Sequence, residues 1–330
     1  ALTAGEGRAM NQRLKRFYRK LRSGRTAVIG VPYLWLIIFF ALPFVILLRI
    51  SVTHVGPDGD PFAPLYAVVN GTVQWLLRYE NYLSVFRESA DVDGQTGPLG
   101  QTIYFTAYLT SLRYAAFTTI LCLLLGYPFA YFIARSRENL RNPLLMMVML
   151  PFWTSLLLRV YAWKGLLSDQ GFFNQIFMTI GLVNEPLQML YSDVSMLVGM
   201  TYIYLPFMVL PLYANLVKMD TRLLEAAHDL GASPWKAFWL ITVPLSRAGI
   251  IAGCMLVFIP ALGEFVIPSL LGGAENIMIG RVVWDEMFAA NNWPRASALA
   301  VIMILMILVP LALYYYYSGK QDQLQAQKGR

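Results

Sequence analysis

Charge is what this sequence has least of: charged types make up 14% of its 330 residues, against 57% hydrophobic types. A water-soluble domain carries about 25% charged and about 45–50% apolar residues, so the chain lacks the polar surface to cover a body of its own size. Soluble enzyme and disordered segment are excluded. A net charge of +7, spread through so apolar a sequence, does not make a nucleic-acid module. Two cysteines exclude a disulfide scaffold, and two histidines exclude a histidine-rich metal site. Catalytic signatures are missing too. No G-x-x-x-x-G-K-[ST] phosphate loop occurs, because the Gly319-Lys320 pair is followed by Gln321, so the usual backbone cradle for ATP is absent. Neither G-x-S-x-G nor H-E-x-x-H is present, and Cys122 and Cys254 fall inside apolar runs as small hydrophobes. Nothing supports an enzyme.

What is present is long apolar runs. A bilayer core about 30 Å thick takes roughly 20 apolar residues in helix to cross, and six stretches qualify: 27–50, 109–134, 143–166, 194–217, 249–271 and 296–317. Continuous apolarity without alternation of period two predicts helices rather than barrel strands. The first run exceeds the 7–15 apolar residues of a signal peptide and meets no small-residue cleavage pattern, so it is expected to be a retained helix. The fold expected is an all-α membrane protein with one domain at 27–317, a basic segment at 1–26 and a tail at 318–330.

Lysine and arginine set orientation. Eighteen fall before the first run, in the second-to-third and fourth-to-fifth connections, and in the tail, against five in the opposite loops. Both termini are therefore expected in the cytoplasm, with an outer face that carries twelve of the nineteen carboxylates. In the leader, Leu14, Phe17, Tyr18 and Leu21 recur at helical spacing among basic residues. That suits a helix lying on anionic lipid, and equally a plain basic leader that enforces topology. In the outer loop 51–108, Trp75, Leu76, Tyr79, Tyr82, Leu83 and Phe86 predict an amphipathic helix.

The cytoplasmic loop 218–248 carries the most specific pattern. Glu225-Ala226-Ala227, three residues, Gly231, nine residues, then Ile241-Thr242-Val243-Pro244 describe a short helix, a glycine break, Ser233-Pro234 opening a second helix, and a proline stop. This resembles the EAA loop of permease subunits of ABC importers, with Val243 where that family has leucine. The resemblance implies the type I importer permease fold in the bacterial inner membrane. It implies that Glu225, Ala226, Ala227, Gly231, Ser233, Pro234 and Pro244 couple to an ATPase. The chain itself would then hold no cofactor, since ATP and Mg are bound by a separate ATP-binding subunit dimer. A second permease chain and a periplasmic binding protein complete the implied assembly.

Further stretches are similar to the polyamine branch of that family, in its first permease chain type: Leu150-Pro151-Phe152-Trp153-Thr154-Ser155, Arg159-Val160-Tyr161-Ala162-Trp163, Phe258 through Pro268, and Ile279-Gly280-Arg281. The cargo this implies is putrescine or spermidine. A permease for iron(III), sulfate or an amino acid is the alternative within the class; an ATP-independent channel or secondary transporter is the alternative outside it.

Four charges within the runs need explaining, Arg49, Arg113, Arg159 and Glu264, while Lys164 stands at the outer end of the third. At 1.5 Å per residue all four lie in the outer half, where long arginine stems reach the interface. Glu264 is short, and stands beside Gly263 between Pro260 and Pro268, which predicts a broken helix facing protein or a watery cavity. Two readings stand for it: an ion pair with Arg159 at matching depth, or a group on the pathway that attracts a cationic cargo. Ammonium groups are held by carboxylates and aromatic faces, so Trp153, Tyr161, Tyr202, Tyr204, Asp285 and Glu286 are the further pathway candidates. Each aromatic is equally explained by the enrichment of Tyr and Trp at membrane interfaces. Asp285 and Glu286 are equally explained as solvated, or as contacts for the binding protein.

Overall fold

A computed structural model describes residues 24–56, 60–69, 72–87, 103–273 and 276–328. The stretch 11–22, which suits a surface helix and a plain basic leader equally, lies outside the described residues.

Thirteen helices and one hairpin follow in order among the described residues. Helix α1 runs from Gly24–Leu36 through a π-helical turn, Ile37–Ala41, into Leu42–Ser51. The hairpin β1 (Tyr66–Val69) and β2 (Thr72–Trp75) follows, antiparallel, with Tyr66 opposite Trp75. Then come α2 (Glu80–Arg87), α3 (Ile103–Arg135), α4 (Glu138–Met149, closed by a tight turn at Leu150–Trp153), α5 (Leu156–Leu167) and α6 (Phe172–Thr179). Helices α7 (Asp193–Leu216), α8 (Arg222–Asp229), α9 (Pro234–Ala237, continued through Phe238–Thr242 and Val243–Leu245) and α10 (Arg247–Leu262) are next. The chain ends with α11 (Val266–Leu271), α12 (Ile279–Trp284, continued through Asp285–Ala289) and α13 (Trp293–Lys328).

Among the described residues, three helices are long and apolar enough to cross a membrane in one piece: Val28–Ser51, Ile103–Arg135 and Asp193–Leu216. Two more qualify as bent pairs. Glu138–Trp153 and Leu156–Thr179 meet at 90°, and Pro234–Leu245 and Arg247–Leu262 meet at 67°. The third run, expected to be straight, is thus broken: Pro151 supplies no N–H, and Thr154 and Ser155 adopt extended backbone before α5. The fifth is broken at Gly263–Phe265, as its glycine and flanking prolines predict. The sixth run lies within α13 (Trp293–Lys328), of which Trp293–Leu308 is apolar. The expected outer helix is shortened to α2, because Trp75 belongs to a strand.

The core is a bundle of α3, α7 and α10. On α7 every fourth residue from Met196 to Leu216 (Met196, Met200, Tyr204, Met208, Leu212, Leu216) is at most 5% exposed. That is a ridge of the i±4 kind, which packs into the grooves of neighbouring helices. Gly249 and Gly253 on α10 bring its backbone against Pro211, Asn215 and Met208 of α7, the small-residue contact usual between helices in lipid. Helix α1 stands apart. Its apolar side chains are exposed along nearly its whole length, with Phe40 at 80%, and it touches the bundle through its last turns against α13. Those turns are closed by Asn81, whose Nδ2 donates to the carbonyls of Ser51 and Thr53 at 2.9 and 2.7 Å.

Candidate functional site: a coupling elbow and two broken helices

Helix α8 ends in a Schellman turn. Gly231 N–H donates to His228 O and Ala232 N–H to Ala227 O, both at 2.9 Å, which satisfies carbonyls that the helix end would leave open. The turn requires φ of +79° at Gly231, in the left-handed region that a side chain disfavours. Ser233 then caps α9, its Oγ accepting from Lys236 N–H at 3.3 Å, and Pro234 occupies the first helical position. The result is two short helices joined by a tight bend. Ala227 and Ala237 are buried inside the elbow, whereas Glu225, Ala226, Leu230 and Trp235 are exposed, Leu230 at 88%. Pro244, half-buried, lies in the last turn of α9.

The elbow is fastened to the bundle at its far end. Tyr127 of α3 and Ser246 share a hydrogen bond of 2.8 Å, and Phe238 packs edge-on against Tyr127 and Tyr131 at 5.5 and 5.8 Å. Beside this joint an apolar cavity of about 400 Å³ is lined by Leu124, Tyr127, Trp235, Trp239 and Ile250, among others. Ser246 stands between α9 and α10, so displacement of the elbow bears directly on α10.

The second feature is the meeting of both helix breaks against α7. At the fifth-segment break, Glu264 Oε1 accepts the backbone N–H groups of Phe265, Val266 and Ile267 at 3.1, 2.9 and 3.4 Å, and Oε2 accepts from Tyr204 OH at 2.5 Å. The ion pair with Arg159, one of the two readings of Glu264, is not formed. Arg159 instead lies over the ring of Phe152, 5.3 Å from its centre, with Nε and Nη1 buried and unbonded. The depth count assumed a straight third helix, and the 90° bend after Trp153 turns Arg159 out of that line. Phe152 stacks edge-on against Phe207 of α7 at 5.0 Å.

The remaining candidates scatter. Trp153 and Tyr161 are exposed, at 74% and 56%. Tyr202 packs edge-on against Trp163 at 5.5 Å, away from Tyr204, which is buried. Asp285 pairs with Arg281 at 3.7 Å on the surface. Glu286 accepts from Tyr104 OH at 2.6 Å and sits 4.0 Å from Arg295, tying α12 to α3 and α13. Of the in-run arginines, Arg113 meets Asp193 at 3.5 Å. Residues not singled out from sequence complete an aromatic stack: Phe265 lies on Trp284 at 4.6 Å, and Trp284 on Phe288 at 4.3 Å. Their signal was the aromatic spacing of 284 and 288 beside two carboxylates.

The family model for the binding-protein-dependent transport system inner membrane component matches residues 123–322, a stretch that contains the elbow and both breaks. The chain belongs to that family. The spermidine/putrescine transport system permease protein PotB of Haemophilus influenzae is 36% identical over 287 residues, covering 87% of this chain and 91% of that protein. PotB of Escherichia coli is 40% identical over 213 residues, covering 64% of this chain and 78% of that one. In fold, the chain matches a crystal structure of a bacterial ABC transporter involved in the import of the acidic polysaccharide alginate, with TM-score 0.62 and 16% identity over 92% of this chain and 99% of that one. The binding-protein-dependent family accounts for the elbow without a nucleotide loop: the chain is a transmembrane permease subunit of an ABC importer.

Proposed function

We propose that this permease carries polyamines across a bacterial inner membrane through six spans, with both termini cytoplasmic. A second, related permease completes the pathway, a binding protein delivers cargo outside, and an ATP-binding subunit dimer holding ATP and Mg docks on the elbow. The observation that carries the cargo reading is the likeness to two spermidine/putrescine permeases, one of them along 87% of this chain. In this mechanism Glu225, Ala226, Ala227, Gly231, Ser233, Pro234 and Pro244 form the docking elbow. Closure of the ATPase dimer presses it, Ser246 transmits the displacement to α10, and the broken helices open alternately to either side. Energy enters as the difference in ATPase contacts between the two states, the only way a partner shifts such an equilibrium. The exposed rings of Trp153, Tyr161, Trp284 and Phe288, and the Asp285 carboxylate next to Trp284 in the chain, suit ammonium groups on a flexible chain.

Reconstitution of the chain with an ATPase, a second permease and a binding protein from the same organism tests this. Labelled putrescine or spermidine should enter the vesicles only with ATP, and each should compete with the other. ATP-driven uptake of sulfate or an amino acid instead would overturn the cargo, and uptake without ATP would overturn the class.

A further inference from the structure

The fifth apolar segment is cut in two at Gly263–Phe265, and its halves have different neighbours. Helix α10 packs along α3 and α7, whereas α11 packs against α7 and α5. Three ties at successive levels hold α11 to one face of α7. Near the outer end, Ser195 Oγ donates to Leu271 O at 2.7 Å. One turn on, Gly199 lets α11 close in, since a Cβ there would stand 2.5 Å from Leu271 Cδ1 and 3.3 Å from Ile267 Cγ2. At the inner end Tyr204 donates to Glu264, whose other oxygen closes the first turn of α11. Four donors converge on this carboxylate, three backbone N–H groups at Oε1 and the Tyr204 hydroxyl at Oε2, so its bonds run to α11 and to α7.

We infer that Glu264 and Tyr204 are positioning residues that strap α11 to α7, so that α10 swings about the Gly263 break while α11 stays behind. This rests on the reading of the chain as an ATP-driven permease. It assigns the intramembrane carboxylate to mechanics and not to cargo. Motion arriving through Ser246 runs up α10 and ends at the hinge, while the strap keeps Phe265 seated on Trp284.

Spin-label distances in the assembled complex test the hinge, with Cys122 and Cys254 replaced by alanine. Ser269→Cys is paired in one variant with Val194→Cys on α7, and in another with Ile259→Cys on α10; all three positions are exposed. Trapping with ATP and vanadate should shift the 259–269 distance and leave 194–269 unchanged. A shift in 194–269, or none in 259–269, overturns the proposal. Uptake kinetics separate the roles of the carboxylate. Glu264→Gln keeps an acceptor for the α11 amides and should leave KM for putrescine within about twofold, while Glu264→Ala should cut kcat about tenfold or more as ATP hydrolysis continues. A KM raised tenfold or more by Gln alone would instead make Glu264 a cargo ligand. A complex that hydrolyses ATP but carries no putrescine fails the cargo reading, and the distances still decide the hinge. If no ATPase assembles, the family mechanism fails, and thermal unfolding of the purified chain decides the strap. Tyr204→Phe and Glu264→Ala should then be non-additive, and additive losses would refute it.

Discussion

Gly231 gives the sharpest quantitative test, because its demand on the chain is purely a backbone one. Its φ of +79° lies in the left-handed region, and a Cβ built there meets nothing within 4 Å. A side chain therefore costs only the conformational penalty, about 1–2 kcal/mol for an L-residue, with a β-branched residue at the upper end. That is roughly a 5–30-fold shift against the native turn. Asparagine tolerates this conformation, so activity should fall in the order Gly, Asn, Ala, Val. The assay is cargo uptake per ATP hydrolysed in reconstituted vesicles, alongside thermal unfolding of the complex. Gly181 provides the control. It has φ of +78°, open space around it, and the same pair of closing bonds, Gly181 N–H to Met178 O and Leu182 N–H to Phe177 O, but belongs to the turn after α6. Gly181→Val should lower stability by a similar amount and leave uptake per ATP intact. Should Gly231→Val couple as well as the native chain, or Asn rank below Val, the role assigned to the elbow is wrong.

Three further outcomes follow from the hydrogen bonds. Tyr127→Phe and Ser246→Ala each remove the joint between α3 and α10, costing about 1 kcal/mol, and the double variant should lose less than the sum in thermal unfolding. Tyr104→Phe deletes a bond to the Glu286 carboxylate and one from Arg295 at 3.2 Å, so a loss of about 1.5–3 kcal/mol is expected in the unfolding of the purified complex. Asn174 is fully buried and holds the carbonyls of Ser168 and Leu187 and the N–H of Leu187. Its replacement by alanine leaves those groups unpaired, and protease should cut between residues 168 and 192 at least about tenfold faster.

The elbow was legible because its rules are local: a glycine separated by three residues from Glu-Ala-Ala, a serine cap and a proline at the first helical position each act within one turn. The Gly263 break was legible for the same reason. The Pro151 break carried a signal that apolar length overrode, and misplacing it misdirected Arg159. The hairpin also had its mark, since Asn70-Gly71 between alternating residues is the strongest short-range hairpin signal. Aromatic spacing, which strands and helices both permit, was given more weight there. The partners of Glu264 were beyond reach of pattern. Depth along a helix can be counted, but which neighbour it faces depends on the packing of α7 and α11, set by Gly199 and the buried ridge.

That ridge has a mechanical meaning of its own. Met196, Met200 and Met208 are each 0% exposed; Met208 lies between Gly126 of α3 and Gly253 of α10, Met200 meets Thr118 of α3, and Met196 meets Gly272 after α11. Unbranched thioethers have three rotatable bonds and fill irregular gaps, so such a bearing surface can re-seat as α10 tilts without opening a void. Isoleucine or valine in the same places would hold one alignment and resist the next. The softness also leaves a weakness: oxygen added to any of these sulfurs would put a polar group into the buried ridge on which the proposed tilt of α10 depends.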